Sequence, residues 1–151
     1  NLELVLSNFT IRIYQMEQYI KLFKKYPTIF NGGYFKWLYK ELQKHIDNDT
    51  IQYQDGVLLT WTKYKRKSQY HKKNDIKINH MINETPGNGK SGQKMKEFIS
   101  RQNSTIWLEV KKNNERAIKF YEKEGFKFWR EKSSEILIYH KDKIENIISI
   151  K

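Results

Sequence analysis

The chain contains no cysteine, which excludes disulfides, thiolate zinc sites and a cysteine nucleophile and agrees with a reducing cytoplasm as the expected location. Proline occurs only twice, and there is neither an internal repeat nor a low-complexity linker. No apolar run approaches the roughly 18 residues that cross a bilayer. The first residues also lack a basic segment followed by an apolar signal core, so the expectation is a soluble, non-exported protein without a membrane partner. Numbering starts at Asn1 rather than Met, which is compatible with a processed or excised piece and leaves an upstream segment open. Acidic residues are in deficit: 17 Asp and Glu against 29 Lys and Arg give a net charge of +12.

What is present points to one packed domain spanning residues 1–151, within the usual domain size of roughly 100 to 200 residues. Hydrophobic residues make up 38% and aromatics 15% of the chain, too apolar for disorder despite a mean hydropathy of −0.87. The positive charge attracts polyanions, with DNA or RNA as the obvious partner. An AT-rich coding sequence, favouring Lys, Asn and Ile, accounts for the same charge without any partner.

Val5, Phe9, Ile11 and Ile13 partly alternate between Leu2 and Tyr14, around a polar turn at Ser7 and Asn8, which predicts an opening strand. Tyr19, Ile20, Phe23 and Tyr26 then recur at helical spacing until Pro27 stops them. After a joint at Asn31, Gly32 and Gly33, Phe35, Leu38, Tyr39, Leu42 and Ile46 form a second helical stripe. Asp55-Gly56 separates two β-rich runs, Thr50 to Gln54 and Val57 to Tyr64, as a tight hairpin. Ile76 to Ile82 reads as a strand. It leads through the glycine-rich run Thr85 to Gly92 into a helix carrying Met95, Phe98 and Ile99, and strand, glycine loop and helix together make an anion cradle. Thr105 to Val110, Phe126 to Trp129 and Glu135 to Tyr139 read as strands, with a helix from Asn114 to Lys123 closed by Gly125. The order β, α, α, β, β, β, α, β, α, β, β predicts an α+β fold with one mixed, mostly antiparallel sheet flanked by helices.

One stretch is more specific. In Thr105 to Glu131, TIWLEVKKNNERAIKFYEKEGFKFWRE, the residues Leu108, Glu109, Val110, Lys111, Asn114, Ala117, Phe120, Tyr121, Gly125 and Phe126 fall in a single register. This segment resembles the GNAT N-acetyltransferase superfamily, most of all the enzymes that acetylate the N-terminal alanine of a ribosomal protein. The resemblance implies acetyl-CoA or another acyl-CoA as donor, an amine acceptor attacking the thioester directly, and no metal. It implies that Tyr121 protonates the departing thiolate and that Met81, Ile82, Asn114 and Ala117 contact the cofactor. Glu109 matches the base of the ribosomal-protein enzymes, Glu84 is a second base candidate and His80 a third, a lone strand histidine being more often structural.

The cofactor loop departs from the family pattern of Gln or Arg, two residues, Gly, one residue, Gly or Ala. Aligned on Gly92, it has Gly87 at the Gln or Arg position and Lys90 where Gly is usual. Gly87, Asn88, Gly89, Lys90, Ser91 and Gly92 still offer backbone amides and one ammonium to phosphate. Gly89-Lys90-Ser91 also imitates the end of a nucleotide-binding P-loop, but that motif's first glycine falls on Glu84.

Two further readings stay open. Lys63, Lys65, Arg66, Lys67, Tyr70, His71, Lys72 and Lys73 combine charge with aromatics as a nucleic-acid surface does, pointing to a GNAT-fold enzyme acting on a DNA base or aminoacyl-tRNA; a lysine-protected hairpin edge explains them equally. The irregular loop allows a GNAT-like binding module without catalysis. Monomer and homodimer are both compatible with the sequence.

Overall fold

The computed structural model describes residues 2–25 and 34–143. The expected stop at Pro27 and the joint at Asn31 to Gly33 lie outside them. Ten elements follow in order: α1 (Leu2–Lys25), α2 (Tyr34–Asn48), β1 (Ile51–Gln54), β2 (Val57–Lys63), β3 (Ile76–Asn83), α3 (Lys90–Ser100), β4 (Ile106–Lys111), α4 (Glu115–Lys123), β5 (Lys127–Glu131) and β6 (Ile136–Lys141). The six strands form one sheet in the order β1-β2-β3-β4-β6-β5. Every pairing is antiparallel except β3 with β4, whose parallel join requires the α3 crossover.

The predicted opening strand is wrong: Leu2 to Tyr14 is the first half of the 24-residue α1. Its alternation is local. Leu2, Val5, Phe9, Ile13, Met16, Ile20 and Phe23 repeat at intervals of three and four across the whole helix, the period of a single helical face. The second half of that helix is buried through Met16, Tyr19, Leu22 and Phe23, while Leu2, Val5, Ile11 and Ile13 in the first half are exposed. Over a short window the β-branched Val5, Thr10, Ile11 and Ile13 outweighed that period.

Asp55 and Gly56 both take positive φ, 53° and 77°, which lets β1 and β2 pair as a two-residue hairpin. Lys94 of α3 reaches back to the Asp55 carboxylate at 2.6 Å, pinning the helix over that turn. Strand alternation then sorts the core between two faces. Leu58 and Ile82 pack with Met16, Tyr19, Leu22, Phe23, Leu38 and Leu42 beneath α1 and α2. Leu59, Ile76, Ile78, Ile106, Leu108 and Val110 pack with Met95 and Phe98 of α3 on the other side, where Ala117, Ile118, Phe120 and Tyr121 of α4 join them. Among the described residues no helix is long and apolar enough to cross a membrane.

Candidate acyl-transfer site

The site begins where the sheet stops being a sheet. β3 and β4 pair only at Ile76 with Ile106 and Lys77 with Trp107. Beyond that, β3 continues with β2 as far as Asn83 and β4 continues with β6 as far as Lys111, so the two strands diverge into a wedge. The register of β3 against β2 slips at the mouth of this wedge: Thr60 faces His80, Trp61 faces Ile78, and Asn79 is left as a bulge. A bulge bends its strand, and this one turns the C-terminal half of β3 away from β4.

The wedge opens into a cavity of about 820 Å³ between α3 and α4. Met81 and Ile82 of β3 form one wall, Gly87, Gly89, Ser91 and Gly92 the end, and Asn114, Ala117, Phe120 and Tyr121 the opposite wall. Gly87 and Gly89 hold φ of 88° and 81°, and a Cβ on either would meet nothing within 4 Å; the positive angle requires glycine while the space beside it stays open. Gly89 caps α3 without a side-chain hydrogen bond, and first-turn helix amides have no intrahelical partner. Lys96, Arg116 and Lys123 also line the cavity. Left-handed glycines and a helix N-terminus suit an anionic ligand end, three cations outnumber the one lining carboxylate, Glu124, and the apolar walls suit an uncharged arm, so these residues fit an acyl-CoA.

Asn83 went unnoticed in the sequence. Its Nδ2 donates to Asn88 Oδ1 at 2.9 Å and Ser91 Oγ at 3.0 Å, and its Oδ1 accepts the Thr85 N–H at 2.9 Å. It therefore sets the shape of the loop. Asn88 works within that scaffold, its Oδ1 also accepting the Lys90 N–H at 3.0 Å, and the Lys90 ammonium donates to Gln93 Oε1 at 3.2 Å. Asn88 and Lys90 do not line the cavity, although Gln93 does. An Asn followed by loop residues is too common a pattern to have marked Asn83.

Tyr121 is placed by the end of its own helix. Phe126 N–H donates to Tyr121 O and Gly125 N–H to Glu122 O, both at 3.0 Å, with Gly125 at φ 94°: a Schellman close, whose usual apolar contact is here the Phe126 ring, 5.9 Å edge-on from Tyr121. The Gly-Phe of the motif thus fixes the tyrosine. Burial pushes the Tyr121 hydroxyl up to about 12, keeping it protonated. At the other end of α4, Asn114 Oδ1 accepts the Ala117 N–H at 3.2 Å, which caps the helix and leaves its amide NH₂ for a ligand.

The three base candidates lie outside this cavity. Burial pushes the Glu109 carboxyl up, but the ammoniums of Lys132, 2.6 Å away, and Lys77 outweigh it and hold the group below its ordinary value. Glu84, just past β3, accepts a hydrogen bond from the Tyr53 hydroxyl and lines a separate cavity of about 480 Å³ with Glu17, Lys21 and Lys25 of α1. His80 is buried beneath α1, edge-on to Phe23 at 4.9 Å and bonded to Thr60 Oγ1 at 2.8 Å. Burial first, then the charges of His45 and Lys77, push it down to about 3.

The basic segment forms a different region. Lys63 ends β2, and Lys65, Arg66, Lys67, Tyr70, Lys72 and Lys73 lie in the connection to β3; none of them lines the cavity beside Tyr121. Its aromatics are already engaged: His71 stacks on Tyr64 at 3.6 Å, and Arg130 sits 4.8 Å from Tyr70 and 4.2 Å from Trp129.

Wedge, glycine-bounded helix start and α4 tyrosine together give the chain the fold of the GNAT acetyltransferases. The protein PH1933 from Pyrococcus horikoshii OT3 superimposes with a TM-score of 0.67 at 19% identity, over 86% of this chain and 91% of that one. A ribosomal-protein-alanine N-acetyltransferase from Brucella melitensis gives 0.61 at 8% identity, over 85% and 94%. An acetyltransferase from Thermus thermophilus gives 0.56 at 14% identity, over 72% and 74%. No family model matches the sequence, and no curated protein does.

Proposed function

We propose that the chain is an acyl-CoA-dependent N-acetyltransferase that moves an acetyl group to an amine by direct attack. The observation that carries this reading is the wedge between β3 and β4 opening into a cavity lined by the glycines of the loop before α3 and by Tyr121 of α4. Acyl-CoA, when bound, supplies the activated acyl group as a thioester. The amides of Gly87, Gly89 and Gly92 with Lys96, Arg116 and Lys123 hold its phosphates, and Met81, Ile82, Ala117 and Phe120 its apolar arm. The backbone edge that β3 turns away from β4 offers an amide to the acyl oxygen, where negative charge develops during attack.

Tyr121 serves as hydrogen-bond donor to the departing sulfur. Burial keeps its hydroxyl protonated and so available as that donor. Tyr121 therefore stabilises the thiolate, and the proton that ends on sulfur originates from the amine. For removal of that proton we assign Glu84, acting through water, over Glu109, whose two lysine partners weaken it as a base.

The test is calorimetry with acetyl-CoA followed by thiol release over a panel of polyamines, amino acids and peptide N-termini. Stoichiometric binding with amine-dependent release supports the reading. Binding without release across the panel supports the non-catalytic module, and absence of binding to any acyl-CoA ends both.

A further inference from the structure

Beneath α2, on the face of the sheet opposite the acyl cavity, lies a polar cluster in an otherwise apolar core. Glu41 and His45 stand four residues apart on α2 and so share one helix face; His80 meets them from β3. One donor atom from each, an imidazole nitrogen or a carboxylate oxygen, can be chosen so that all three lie within 4.8 Å of one another, and His80 Nε2 is 3.8 Å from Glu41 Oε2. Each imidazole is oriented by a threonine: His80 Nδ1 bonds Thr60 Oγ1 at 2.8 Å, and His45 Nδ1 bonds Thr50 Oγ1 at 2.7 Å.

We propose that Glu41, His45 and His80 form a zinc site of three protein ligands and one open position, which ties α2 to β3. Two imidazoles and a carboxylate are a known zinc donor set, and a water completes four-coordination. The side chains of Glu41 and His80 are 15% and 9% exposed, enough for solvent to reach the fourth position. Bonds of roughly 2.1 Å at tetrahedral angles separate donors by about 3.4 Å, so the cluster closes by little more than about 1 Å on binding. A hydroxyl on the second nitrogen of a metal-bound imidazole fixes ring orientation and tautomer; Thr60 is in place to do this for His80, whose Nε2 faces Glu41. The absence of cysteine leaves nitrogen and oxygen as the donors, a set that also accepts Co²⁺.

The experiment uses the whole chain without a histidine tag, stripped with chelator and titrated with Zn²⁺ against a chromophoric competitor, with melting followed in parallel. One equivalent is expected to bind and, at a hundredfold excess over Kd, to raise Tm by about 5 to 10 °C. Glu41→Gln and His80→Gln, each compared with its own metal-free Tm, are expected to lose that shift and at least about tenfold in affinity. Co²⁺ in the wild type is expected to give the intense visible bands of a tetrahedral site, absent from both variants. Failure of the wild type to bind one equivalent, or variants that bind and shift like it, would overturn the proposal; the second result would place the metal elsewhere, for example at His140 and Asp142. Neither result depends on acyl transfer.

Discussion

The two faces of the sheet solve different problems with the same strands. Beneath α3 and α4 the core is apolar and incomplete, because β3 and β4 part and leave a cavity where a continuous sheet would have filled it. Beneath α1 and α2 the same β3 carries His80 into a core that is not wholly apolar. Successive residues of β3 alternate between the faces, so one bulge at Asn79 governs both the width of the wedge and the side on which His80 falls. Ligand chemistry and the polar staple are thus coupled through one strand.

The largest expected effect tests whether both faces belong to one cooperative unit. Phe98 and Phe23 are each fully buried, one on either side. Phe98→Ala and Phe23→Ala should each cost about 3 to 5 kcal/mol in urea denaturation. A loss below about 1 kcal/mol for Phe23→Ala would break the comparison by showing that α1 contributes little to the second core. Next comes chemistry confined to one face. Tyr121→Phe should lower turnover about 10²-fold with acyl-CoA affinity nearly unchanged; equal turnover would remove Tyr121 from the mechanism.

A smaller effect concerns the Schellman close. Gly125→Ala puts a side chain at φ 94° and against the Lys141 ammonium, which should cost about 1 to 2 kcal/mol and reduce turnover as well, because the turn positions Tyr121. The smallest lies at the edge of the wedge. The Glu109 carboxyl titrates below its ordinary 4.5 in the folded chain, so on acidification the unfolded chain takes up that proton first. Stability from its lysine pairs is complete above about pH 4.5 and is lost as pH falls below it. Glu109→Gln should therefore flatten the decline of Tm below about pH 4.5, and an unchanged slope would count against the pairing.

Much of the face that carries the cavity could be read from the chain because its signals are local. Asp55-Gly56 demands positive φ, Gly125-Phe126 closes a helix, and Asn114 caps one; each constraint acts within a few residues. Asn83 and the misread Leu2 to Tyr14 segment were harder for opposite reasons. Asn83 acts through partners five and eight residues away with no distinctive pattern. The first half of α1 had a helical period that a short window of β-branched residues obscured.

By itself the sequence determined the element types after residue 15, the hairpin, the α4 motif and the glycine loop, since hydrophobic period and backbone angle are properties of neighbouring residues. Only the tertiary structure decided how far β3 and β4 part, that Glu109 is claimed by Lys77 and Lys132, and that Glu41, His45 and His80 meet. Those outcomes join residues from different elements of the chain, and nothing in a linear pattern states which strand pairing ends early or which buried side chains converge.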